Sequence, residues 1–162
     1  MAKLSASYEA YSFESSRPKD IYSALHEELL TSSAWKALTS RQKILFLYCK
    51  LQYRAREPKP TLTDANGEAK SNPLWFTMHR GKYVDKYGLY IDNDRGAFYR
   101  DMAALIAYGF IECVYSGKKD KVKSIYTYSD MWRRYGGADF ALNISGLSYD
   151  MKKRVQAILD AR

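Results

Sequence analysis

At 162 residues, 46% of them apolar, the chain is long enough for one domain with its own core and a few extra elements, and too apolar to be disordered. Its 26 Lys and Arg against 18 Asp and Glu give a net charge of +8, which raises the local concentration of polyanions but leaves DNA, RNA and anionic membrane open. The two cysteines, Cys49 and Cys113, form no CxxC pair and have neither His26 nor His79 near them in sequence, which argues against a structural zinc site and against a disulfide framework.

Residues 1–7 carry no apolar stretch of the signal-peptide kind, and no apolar run, that over 44–49 included, is long enough to span a bilayer; a soluble, cytoplasmic chain is expected. Residues 1–17 lack periodicity and read as a flexible arm. Pro18 suits a first helical turn, and Ile21, Leu25 and Leu29 then share a face, so a helix is predicted over 18–31. Residues 32–38 read as a connection with Trp35 and Leu38 pointing inward. Thr39 or Ser40 caps a helix over 40–55, apolar nearly all round and therefore expected in the middle of the domain. Residues 56–73, with Pro58, Pro60 and Pro73, have loop composition, and the loop is long enough to be either mobile or functional. A strand is predicted over 74–77 and a weaker helix over 78–87, ending at Gly88.

Asn93 or Asp94 caps the next helix, 95–108, in which Phe98, Met102 and Leu105 recur at i, i+4 and i+7 and which Gly109 stops. Two β-rich stretches, 110–115 and 122–128, flank the polar turn 116–121 and predict a hairpin. A helical turn is expected at Met131 and Trp132, a boundary at Gly136-Gly137, and a last helix from Ser148 with Met151, Val155 and Ile158 on one stripe.

Helix, helix, turn, helix and hairpin, taken over 40–55, 78–87, 94–108 and 110–128, is the order of a winged helix-turn-helix, whose second helix enters the major groove. Three stretches carry a resemblance: Lys86-Tyr87-Gly88-Leu89 before the helix, Phe98-Tyr99-Arg100-Asp101-Met102 within it, and Leu105-Ile106-Ala107-Tyr108-Gly109-Phe110-Ile111 running into the strand. With Tyr126-Thr127-Tyr128-Ser129-Asp130-Met131-Trp132 they resemble a winged-helix family of phage, plasmid and mobile-element proteins that includes replication initiators. The resemblance covers roughly 35–135 and implies duplex DNA as the ligand; the 56–73 loop and the final helix depart from its pattern.

If Phe98, Met102 and Leu105 face the core, then Arg95, Gly96, Tyr99, Arg100 and Ala103 face out. Arg95 and Arg100 are the candidates for guanine or phosphate contacts, Tyr99 for a phosphate or a thymine methyl, and Gly96 for close backbone approach. Lys118, Lys119, Lys121 and Lys123 crowd the hairpin tip with only Asp120 opposing, as a wing on the sugar-phosphate backbone requires. His79, Arg80, Lys82 and Lys86 on the preceding helix are candidates for phosphate positioning. Solvated helix faces and lysines that guard a hairpin edge are the plainer explanations of the same charges.

The chain has no P-loop, HExxH or GxSxG motif, and its two histidines are far apart, so no catalytic residue, metal site or cofactor is expected. The expected fold class is mainly α with a small β-hairpin (α+β), a winged helix-turn-helix over 18–135 with an added N-terminal helix, followed by a linker and helix over 136–162. The expected function is non-catalytic binding of double-stranded DNA in replication initiation or transcription regulation. The rival reading is a winged-helix protein-interaction module; a third is single-strand or RNA binding through stacked Tyr. Further expected partners are a second copy, through the N- or C-terminal helix, or other replication or regulatory proteins, and no membrane.

Overall fold

The computed structural model describes residues 21–55 and 57–162. The arm expected over 1–17 and the start of the first predicted helix lie outside them. The described residues form a mixed α+β fold of five α-helices and two small antiparallel sheets.

The predicted helix over 18–31 shrinks, among the described residues, to α1 (Glu27–Thr31). Its end is set by Ser32, whose hydroxyl donates to the Leu29 carbonyl at 2.7 Å and accepts from the Trp35 N–H at 3.1 Å. One side chain thus closes α1 and caps α2 (Ser33–Ala37), so the expected connection over 32–38 is largely helical. Trp35 and Leu38 are buried as expected.

Helix α3 (Ser40–Leu51) starts at Thr39 through a reciprocal cap: the Thr39 hydroxyl accepts from Gln42 N–H at 3.3 Å and Gln42 Oε1 accepts from Thr39 N–H at 3.0 Å. Leu45, Phe46 and Cys49 carry it into the core, and a tight turn, Gln52–Arg54, finishes it. The Lys59 ammonium donates to the carbonyls of Gln52 and Tyr53 at 2.9 and 3.0 Å, binding the following segment to this helix end.

Residues 56–73 are not simply a loop. They hold an antiparallel hairpin of β1 (Thr61–Thr63) and β2 (Ala69–Ser71), closed by Asp64, whose carboxylate accepts from the N–H groups of Asn66 and Glu68, and by Gly67 at φ +81°. The predicted strand over 74–77 reduces to one bridge, in which Phe76 and Tyr126 exchange both backbone hydrogen bonds at 2.9 Å. The helix expected over 78–87 is a wide π-helical segment, Gly81–Lys86, in which the Tyr87 N–H reaches back five residues to the Lys82 carbonyl at 3.0 Å. Tyr83 holds this segment to the next helix by stacking on Phe98, centroids 3.7 Å apart.

Helix α4 (Arg95–Ala107) is capped by Asp94, which accepts from Ala97 N–H at 3.0 Å. Its end requires glycine: Gly109 has φ +82°, and a Cβ there would stand 2.6 Å from the Trp132 backbone nitrogen. The chain then forms β3 (Ile111–Tyr115) and β4 (Ile125–Tyr128), paired Ile111 with Tyr128 and Cys113 with Tyr126. The helical turn expected at Met131 and Trp132 is present as Met131–Arg134, and it puts Trp132 parallel to Phe110 at 6.2 Å.

After Gly136-Gly137 the chain returns to the same core. Cys113 Sγ donates to the Gly146 carbonyl at 3.4 Å, Leu147 is buried, and α5 (Tyr149–Asp160), capped by Ser148, packs along α4 with Val155 buried and Met151 and Ile158 half-buried. Segment 136–162 therefore shares one hydrophobic core with the elements before it. Among the described residues no helix is long and apolar enough to cross a membrane.

Candidate nucleic-acid interface

Only the start of α4 reaches solvent. Arg95, Tyr99 and Arg100 are exposed and Gly96 is half-buried, while every residue from Asp101 to Ala107 is buried. Ala103, read from the sequence as outward-facing, is fully buried, which removes it as a contact residue. Helix α5 packs against α4, and the local pattern of α4 does not encode that docking. Gly96 lies beneath the Arg100 side chain, whose Nη1 would stand 3.2 Å from an added Cβ. Arg100 itself is only loosely tied, 3.9 Å from Asp94.

The hairpin tip is built so that its lysines spread outward. Gly117 sits so close under the Val122 carbonyl that a side chain there would overlap it, and Lys121 takes the left-handed conformation at φ +56°. Lys118, Lys119, Lys121 and Lys123 are all exposed. They are not equivalent, because Lys118 pairs with Asp150 in the first turn of α5 and holds its carboxyl below the usual carboxylate range. Lys119, Lys121 and Lys123 have no ion pair among the described residues, and neither has Arg95.

The other candidates divide the same way. Arg80 is exposed but already bonded to Asp92 at 2.7 Å and Asp85 at 3.3 Å. Lys82 is a correction: it is 5% exposed, its ammonium donating to the Thr77 carbonyl at 3.0 Å and pairing with Glu57 at 3.1 Å, so it ties the chain after α3 to the π-helical segment and is not open to a phosphate. Burial lowers its pKa, against the pull of Glu57. Lys86 is exposed, its ammonium over the Tyr87 ring. His79 is half-buried, and burial, then the nearby Lys123 and Lys82, press its pKa below that of an ordinary histidine, which favours a neutral imidazole.

A cleft of about 530 Å³ runs between the start of α4, the hairpin and the start of α5. It gathers His79, Arg80, Arg95, Tyr99, Lys118, Lys121 and Lys123; Gly96, Arg100, Ala103, Lys82 and Lys86 lie off its wall, and Lys119 lines a smaller hollow beside it with Lys118 and Asp150. Arg154 lines the cleft too, a residue that the sequence did not single out as a contact. Its spacing of four from Asp150 was the available signal, since such a pair shares one helix face. Among the described residues Asp150 is the only acid on the cleft wall.

Neither thiol is available as a nucleophile at neutral pH: Cys49 is fully buried, and burial pushes the Cys113 thiol up to about 11. Among the described residues no cluster of three or more His, Cys, Asp or Glu side chains could hold a metal ion. Comparison of the chain with protein-family models, with curated proteins and with solved structures finds no match in any of the three.

Proposed function

We propose that this chain is a non-catalytic winged-helix protein that binds double-stranded DNA, with α4 as the recognition helix and the β3–β4 hairpin as the wing. The observation that carries the reading is that Arg95 and Tyr99 of α4 and Lys121 and Lys123 of the hairpin line one cleft, with Asp150 the sole opposing acid among the described residues. The order α3, the Phe76 bridge, the π-helical segment, α4 and the β3–β4 hairpin supports it. A recognition helix works through its N-terminal residues, and those are the residues of α4 left open by α5. The motifs around Phe98 and Gly109 point to replication initiation or transcription regulation in a phage, plasmid or mobile element.

Phosphate contacts from the wing position the duplex, and Arg95 and Arg100 read base edges. Selection of preferred duplexes from a random pool tests this. Arg100→Ala is expected to weaken the selected site by about 1–3 kcal/mol and relax preference at one base pair. Uniform weakening on all sequences would make Arg100 a phosphate contact instead.

Asp150 competes with phosphate for Lys118. Asp150→Asn is therefore expected to tighten duplex binding a few-fold at low salt and to steepen its salt dependence, as one more cation is freed for phosphate. Weaker binding by this variant would mean that Asp150 positions Lys118.

A second reading, a protein-interaction module, has its own support in the exposed apolar side chains Ile91 and Val122, 73% and 57% exposed, of which Val122 lines the cleft. Duplex binding that is lost on changing the wing lysines separates the two.

A further inference from the structure

Regular duplex DNA accounts for the cationic rim of the cleft but not for its floor. The floor is formed by Met78, Tyr83, Phe98, Leu147 and Met151, with Tyr99, 43% exposed, at the mouth. In a duplex the ring faces are stacked on their neighbours and only base edges and phosphates are presented, so an apolar recess between recognition helix and wing would stay empty. Aromatic and apolar walls that meet a cationic rim are instead the arrangement that holds a base lifted out of its stack, with its phosphate on the rim.

Building on the DNA reading, we propose that the cleft takes one nucleotide unit out of the base stack. The base lies on the floor of Phe98, Leu147 and Met151, and the phosphate is held by Arg95, Lys121, Lys123 and Arg154. The volume, about 530 Å³, falls within the range of small-ligand sites. Among the described residues the rim carries a surplus of cations, and its acid, Asp150, is already engaged by Lys118, which suits a phosphate. Neutral His79 and the hydroxyl of Ser116 add uncharged hydrogen-bonding groups on the wall for a base edge. The unit comes from an unpaired position in the bound DNA or from a free mononucleotide, and the two sources are separable.

Fluorescence anisotropy on three labelled duplexes of one sequence tests the proposal: fully paired, with one bulged nucleotide, and with an abasic bulge. The bulged duplex is expected to bind about tenfold more tightly than the paired one, as stacking of one base allows. The abasic bulge should lose that gain, and adenosine monophosphate should compete with the bulged probe. Met151→Trp, which fills the recess, is expected to abolish the difference between bulged and paired duplexes. Tyr99→Ala, at an exposed position, should reduce it and stands in if the larger side chain impairs folding. Equal binding of bulged and paired duplexes, with no competition by the mononucleotide, would overturn the proposal and leave the duplex reading standing. An equal gain from the abasic bulge would overturn it also, by assigning the effect to DNA flexibility. Binding of the mononucleotide without binding of any duplex would keep the cleft as a free-nucleotide site and defeat the DNA reading.

Discussion

Asp101→Ala is expected to destabilise the protein by about 3 kcal/mol and to lower its melting temperature by roughly 6–12 °C. Asp101 is 3% exposed on α4, and its carboxylate accepts three side-chain hydrogen bonds: from Arg41 Nε at 2.6 Å, from the Tyr90 hydroxyl at 2.6 Å and from Gln42 Nε2 at 3.2 Å. Arg41 and Gln42 belong to the first turn of α3, and Tyr90 to the turn before α4, so one carboxylate fastens three segments. Removing it has unequal consequences. The Arg41 side chain is 44% exposed and returns to water, whereas the Tyr90 hydroxyl stays buried without its acceptor, and that orphaned donor dominates the cost. Asp101→Asn, which retains an acceptor oxygen, should cost less. Urea or thermal unfolding measures both, and a loss below about 1 kcal/mol for the alanine variant would contradict the clamp.

The second large effect falls on binding. Lys119, Lys121 and Lys123 changed together to Ala are expected to reduce the slope of log K against log salt by about 2.7, since each lost phosphate contact removes about 0.9. Near 0.1 M salt that corresponds to a weakening of several hundred-fold, and it should be similar for all sequences. Lys118 is left in place because Asp150 already holds it. An unchanged slope would remove the wing from the mechanism.

Local signals account for much of the fold. The caps at Thr39, Asp94 and Ser148, the apolar period of α3 and α4, and Gly109 are each short-range features, and the elements they define lie close to where the sequence puts them. The β1–β2 hairpin was legible as well: Asn66-Gly67 is a hairpin turn signal, outweighed by the three prolines around it. The misreadings at the site share one cause. Ala103 lies on α4, which packs against the distant α5, and Lys82 pairs with Glu57 of another segment; no periodicity within α4 or the π-helical segment reports such docking. Arg154 and Asp150 enter the site for the same reason, because the segment anchored at Gly146 on β3 brings the start of α5 beside the β3–β4 hairpin. The basic hairpin and the first turn of α4 were readable because exposure there follows from local chemistry: a polar turn, and a helix start outside the apolar stripe.

Under the proposed function this chain binds duplex DNA through phosphate contacts. The most direct test is fluorescence anisotropy of a labelled random-sequence duplex titrated with the unaltered protein at several salt concentrations. Saturable binding whose log K falls steeply with log salt is the expected result. Absence of binding even at about 50 mM salt, where non-specific contacts are strongest, would contradict it and move the protein-interaction reading to first place.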